Sequence, residues 1–331
     1  MRHKFDGKVI VITGGSSGIG RATAHEFAKQ GASLVLIGRS EDALRQAASE
    51  CERHGADVLT VTADVTDEAA IASAALRAVE RFGKVDIWIN NAGVLMLARF
   101  EDAPSDVYRK VIETNLFGYI NGARAILPHF RSRGEGVLIN VASQAALSSL
   151  PYSSAYVASK YAVRGWTHSL RQELAGSGIH ACCVLPTAID TPIFQHGANY
   201  TGRAAKSMGK ALPIEDAVHA LLDVAAHPRR EVLVGKGGYA MGFLRGVAPR
   251  LYETLERRKA ETHFQDKPAA PSPGNVFHSL PDSVTGGWVE PASGGKSVSL
   301  AVGAAAAACA GLAWYVARNR SASRSDARPV Q

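Results

Sequence analysis

The run "KVIVITGGSSGIGRATAHEFAKQG", beginning at Lys8, constrains this chain more than any other part of it. Lys8 to Thr13 is apolar enough for a strand buried on both faces. A glycine run, TGGSSGIG, follows without a spacer, and Gly18 to Gln30 carries a helical pattern. A strand that turns through glycines straight into a helix is the geometry that holds a dinucleotide. Gly14 permits the sharp turn, Gly18 lets a pyrophosphate approach the backbone, and Gly20 lets helix and sheet pack closely. The helix N-terminus adds free N–H groups and a partial positive charge. Thr13, Gly14, Ser16, Ser17, Gly18, Ile19 and Gly20 are thus candidate cofactor contacts.

The same alternation continues along the chain. "SLVLIG" (Ser33 to Gly38), "DVLTVTAD", "VDIWINNAG", "GVLINVAS" (Gly136 to Ser143), "HACCVLP" (His180 to Pro186) and "EVLVG" (Glu231 to Gly235) read as further strands, with helical stretches between them. Right-handed crossovers then predict an α/β fold, a doubly wound parallel sheet of the Rossmann type. The second strand ends at Gly38 and is followed by Arg39 and Ser40, with no acid before Glu41. An acid near this position binds the ribose 2′-hydroxyl of NAD, whereas a guanidinium pairs with a 2′-phosphate. Arg39 therefore favours NADP(H).

A stretch starting at Tyr152, "YSSAYVASKYAVRGW", offers three tyrosines and one lysine on an expected helix. Tyr156 and Lys160 are four apart and share a face. An unperturbed phenol titrates near about 10, and a neighbouring ammonium is expected to lower that value. Four places beyond Tyr152 is Tyr156, and four beyond Tyr161 is Gly165, so Tyr156 alone has its lysine. Ser143, at the end of a buried strand, can hold a substrate oxygen. Tyr156 is then a candidate general acid and base.

With TGGSSGIG, "ADV" at Ala63 to Val65, "NNAG" at Asn90 to Gly93, "ETNLFG" around Asn115, Ser143, and Tyr156 with Lys160, the chain resembles the short-chain dehydrogenase/reductase family, single-domain branch. The resemblance spans roughly Asp6 to Thr262. It implies that Asp64 and Val65 lie near the adenine and that Asn90, Ala92 and Gly93 line the cofactor pocket. It further implies that Lys160 binds the nicotinamide ribose, that Thr191 contacts the nicotinamide amide, and that Asn115 holds a water continuing the proton path. Pro186 joins the cofactor contacts, although Thr187 stands where the family usually has glycine after this proline. Pairing of long helices into a homo-oligomer is implied by the resemblance only.

Hydrophobic residues make up 46% of the chain and charged ones 20%, the balance of an ordinary folded protein. The net charge of +7 is concentrated in residues 201–331. No basic stripe interleaved with aromatics accompanies it, which argues against nucleic acid. Eleven histidines and four cysteines show no metal-ligand spacing, so no metal is expected. The N-terminus runs straight into a strand and predicts no secretory leader.

Domain 1–262 is expected to be followed by a Pro/Gly/Ser-rich linker, 263–297, and then by the uncharged run 298–317 and a basic tail, 318–331. Twenty residues at 1.5 Å each reach about 30 Å, enough for a membrane-spanning helix. Together these features predict a cytoplasmic NADP(H)-dependent oxidoreductase, anchored by its C-terminal helix and acting on a lipophilic alcohol or carbonyl. The rival expectation is a membrane-tethered NADP(H)-binding regulatory or scaffold protein without turnover. The sequence of the covering segment, Thr187 to Leu212, does not reveal what it covers.

Overall fold

Seven strands form one parallel sheet: β1 (Val9–Thr13), β2 (Ser33–Gly38), β3 (Val58–Thr62), β4 (Ile87–Asn90), β5 (Gly136–Val141), β6 (Ile179–Pro186) and β7 (Glu231–Val234). Their order across the sheet is β7-β6-β5-β4-β1-β2-β3, so the order in which strands are added reverses between β1 and β4. The computed structural model describes residues 3–207, 210–236, 238–280 and 284–289.

Alternation along the strands builds two cores. Ile10, Ile12, Leu34, Leu36, Ile89 and Val184 pack on one face with α1 (Gly18–Lys29), α2 (Glu41–Glu52) and α8 (Ile214–Ala226). Val9, Val11, Val35, Ile37, Trp88 and Leu138 face the other way, toward α3 (Glu68–Phe82), α5 (Gly118–Arg133) and α6 (Ser154–Glu173). Both faces are covered, which is why the strands read as unbroken apolar runs. Cys182 and Cys183 fall in different clusters, as successive strand residues must. With Cys51 they are buried and free.

Four further α-helices lie among the described residues. They are α4 (Ser105–Ile112), the short α7 (Ile193–His196), α9 (Gly238–Val247) and α10 (Pro249–Glu261). Between α4 and α5 the helix widens into a π-turn at Glu113–Phe117, a distortion frequent at functional sites.

The expected linker needs correction in its first part. Phe264–Pro268 pairs antiparallel with Arg203–Ala205, and Ser272 bridges Asn199. Val276 is fully buried among Val94, Met96 and Val107. Asp190 accepts hydrogen bonds from the backbone N–H groups of Gly286, Trp288 and Val289. Pro/Gly/Ser composition rules out a helix there, but not docking through backbone groups and a few apolar anchors. The compact unit that begins at the N-terminus accordingly runs on to Val289. The expected anchor, 298–317, and the basic tail lie outside the described residues. Among the described residues no helix is long and apolar enough to cross a membrane, and no cluster suits a metal ion.

Candidate active site

The loops at the C-terminal ends of the strands line one cleft of about 270 Å³. A crevice at this edge, beside the reversal point of an open α/β sheet, is where such folds bind ligands. Gly14 has φ +67°, and a Cβ there would lie 2.8 Å from the Cα of Ala92. Gly18 also has positive φ, +49°, but its nearest neighbours are ordinary contacts to Thr191 at 3.6 Å. Ser17 precedes α1 without capping it, and the first turn carries no acid. Uncapped N–H groups facing a cleft suit a phosphate, so the residues fit a dinucleotide.

Gly14, Ser16, Ser17, Gly18 and Ile19 line the cleft, as do Asp64, Val65, Ala92 and Gly93. Thr13, Gly20 and Asn90 act from behind it. The Thr13 hydroxyl accepts from the N–H groups of Asn91 (3.0 Å) and Ala92 (3.2 Å). Asn90 is not brought to the pocket. Its side chain lies buried in the core, donating to Asn140 (2.9 Å) and to the Tyr119 carbonyl while accepting from the Trp88 indole. Strand alternation turns Asn90 toward α5, and the next residue, Asn91, lines the cleft and donates to the Thr13 carbonyl.

Just past the end of β3, Asp64 accepts from Thr66 and sits 3.2 Å from the Lys110 ammonium. Burial would raise this carboxyl, but the hydrogen bonds from Thr66 and Lys110 outweigh it and hold the group below its usual value. Arg39 donates to the carbonyls of Val276 (3.0 Å) and Asn275 (2.6 Å). Both partners are neutral, so a positive charge remains at this end of the cleft.

At the opposite end stand Ser143, Tyr156 and Lys160. The expected helix begins at Ser154, leaving Tyr152 outside it. Tyr152 has φ +64°, stacks edge-on against Phe264 and hydrogen-bonds Glu261. Tyr161 bonds Arg245. Of the three tyrosines only Tyr156 lines the cleft. Its phenol, however, is raised rather than lowered. Burial is the larger cause, with the Ser143 hydroxyl opposing it. Lys160 lies 5.7 Å from the Tyr156 ring centre and spends its donors on the Val141 carbonyl (2.9 Å) and the Tyr119 hydroxyl (3.4 Å). Burial lowers the ammonium to about 8.

Asn115, in the π-turn, is fully buried and its side chain is occupied. It accepts from the Val94 N–H and donates to the Val94 carbonyl and to Ser159. It thus pins the Gly93–Val94 corner of the cleft. Pro186 and Thr191 line the cleft at the end of β6. Tyr119 and Lys110 escaped the sequence reading, although Tyr119 follows directly on the ETNLFG motif. Glu256, Lys259 and His263 also line the cleft, and no local pattern marks them.

A family model described as short chain dehydrogenase matches residues 8–199. "Uncharacterized oxidoreductase YxnA" of Bacillus subtilis is 34% identical over 273 residues, covering 81% of this chain and 77% of that protein. A short chain dehydrogenase/reductase from Burkholderia phymatum, solved in complex with NAD, superimposes with a TM-score of 0.69 at 29% identity. That match covers 75% of this chain and 96% of the other. An alcohol dehydrogenase from the archaeon Thermococcus sibiricus, complexed with 5-hydroxy-NADP, gives a TM-score of 0.60 at 29% identity, covering 68% of this chain and 95% of that one.

Proposed function

The chain belongs to the short chain dehydrogenase family of oxidoreductases, and we propose that it uses NADP(H) to interconvert an alcohol and a carbonyl on a lipophilic substrate. One observation carries this reading. A single cleft holds a phosphate-binding loop and Arg39 at one end and Ser143, Tyr156 and Lys160 at the other. Leu95, Ile193 and Phe194 add an apolar wall beside Tyr156, which supports a lipophilic substrate.

When bound, a nicotinamide supplies or accepts the hydride. The chain's own residues manage the proton and the geometry. Ser143 accepts the Ala145 N–H at 3.1 Å and donates only a long bond of 3.5 Å to the Pro186 carbonyl, so its proton is available to a substrate oxygen. Because burial keeps the Tyr156 phenol protonated at neutral pH, it rests in the form that donates to a carbonyl oxygen. In the oxidative direction it takes the proton back. Lys160 places a positive charge below the ring and holds its own position through Val141 and Tyr119.

The experiment is NADPH oxidation by the full chain across a carbonyl panel, from small aldehydes to long-chain ketones. Turnover supports the reading. Cofactor binding without turnover of any carbonyl favours the regulatory alternative.

Arg39 carries the cofactor preference in this proposal. Arg39→Ser is expected to lower the NADPH/NADH ratio of kcat/KM by about 10- to 100-fold, the worth of a charge-assisted hydrogen bond. An unchanged ratio would remove NADP(H) from the proposal. Lys160 sets a pH limit. A buried ammonium near 8 stays charged below that pH and neutralises above it. NADPH affinity, followed by fluorescence titration, is expected to be level below about pH 8 and to weaken above it. Lys160→Met should bind more weakly and lose the inflection. A wild-type inflection that persists in Lys160→Met assigns it elsewhere.

A further inference from the structure

At the substrate end of the cleft, α10 and the residue pair after it place three polar side chains that the proton chemistry does not use. Glu256 is 5% exposed, and its Oε2 is buried without a hydrogen-bond partner. His263 is 2% exposed, and its Nε2 is likewise buried and unpartnered. Lys259 is half-exposed, with its ammonium 3.9 Å from Glu256 Oε1. All three line the same cleft as Ser143 and Tyr156. Phe264, next to His263, packs in the apolar cluster that also takes in Phe194, Leu95 and Tyr156. These polar groups thus share one cleft with an apolar wall and with the reacting residues.

Buried polar atoms are almost always paired, because leaving one unpaired forfeits its hydration. Two such atoms on one cleft point to a ligand group that completes them. Resting on the oxidoreductase reading, we propose that the substrate carries a hydroxyl remote from its carbonyl, which donates to Glu256 and pairs with His263. A carboxylate or phosphate at this place would meet the Glu256 carboxyl. An ammonium would meet Lys259, whose charge already balances that carboxyl. A neutral group that both donates and accepts suits the set. Burial lowers His263 to about 4, so its ring is neutral and offers one donor or one acceptor. The natural substrate is then a hydroxylated lipophilic carbonyl compound, or the corresponding diol, rather than a plain hydrocarbon ketone.

The test uses methyl ketones of graded chain length, each paired with its ω-hydroxylated counterpart of equal length. Affinity for the full chain complexed with NADP+, which has no hydride to give a ketone, is measured by calorimetry, and turnover with NADPH is measured separately. At one length the hydroxylated member is expected to bind about 10- to 100-fold more tightly than its partner. Glu256→Gln should cut that ratio several-fold, and His263→Phe should do the same. Thermal unfolding of each variant shows that it is folded, and either variant alone suffices. Equal affinity of the two members, or no affinity for either at any length, overturns the inference. A hydroxyl preference in binding without any turnover leaves it standing and instead counts against the oxidoreductase reading.

Discussion

Tyr156→Phe is expected to lower kcat by about 10²- to 10⁴-fold, the usual worth of a positioned general acid or base. The change removes one oxygen and keeps the ring that lies over Lys160. Cofactor affinity should therefore stay within a few-fold of wild type, because Lys160 remains held by Val141 and Tyr119. Single-turnover oxidation of NADPH, with a parallel binding titration, separates the two effects. Ser143→Ala should cost less, since it removes the group that orients the substrate oxygen but leaves the proton donor. A Tyr156→Phe variant with near wild-type kcat would transfer the proton chemistry to another residue. Loss of cofactor binding in that variant would instead make Tyr156 a structural member of the cleft.

Gly20→Ala is expected to damage the fold as well as the site. A Cβ at Gly20 would lie 2.1 Å from the Gly14 carbonyl oxygen and 2.6 Å from Asn91 Nδ2. The first obstacle is backbone, so no rotamer change relieves it. The loop would have to lift away from α1, straining the bonds that Asn91 makes to the Thr13 and Gly14 carbonyls. Overpacking of this kind costs about 1–3 kcal/mol or more. Because the displaced loop is also the proposed phosphate cradle, NADPH affinity should fall by more than the stability change alone implies. Gly165→Ala is the matched control. Gly165 lies within α6, and a Cβ there meets nothing within 4 Å. That change should leave stability equal or raise it by up to about 1 kcal/mol through helix propensity. Denaturant unfolding of both variants decides the matter, and wild-type stability in Gly20→Ala would show that the loop yields freely.

The parallel sheet and the phosphate loop were legible because their signals are local. Apolar runs buried on both faces, glycines between strand and helix, and a tyrosine four places from a lysine all declare themselves within a few residues. The choice of Tyr156 over Tyr152 and Tyr161 followed from the same i, i+4 spacing. Local reasoning failed where a neighbour decided the outcome. Asn90 and Asn91 look equivalent in the string, yet one ends in the core against Asn140 and the other lines the cleft. The phenol of Tyr156 was expected to be lowered by Lys160, but the lysine spends its donors elsewhere and burial raises the phenol.

What the sequence determined by itself is thus the fold, the loop that suits a phosphate and the tyrosine–lysine pair, since backbone periodicity alone brings those residues together. Only the tertiary structure decided what closes the cleft. Arg39 meets the carbonyls of Asn275 and Val276 from 236 and 237 positions away. Residues 264–280 and 284–289 join the domain instead of leaving it, and Glu256 and His263 line the cleft. Such contacts depend on which surfaces remain uncovered once the sheet and its helices have packed. No spacing within the chain encodes that, because burial and pairing are properties of the neighbours a residue finally meets.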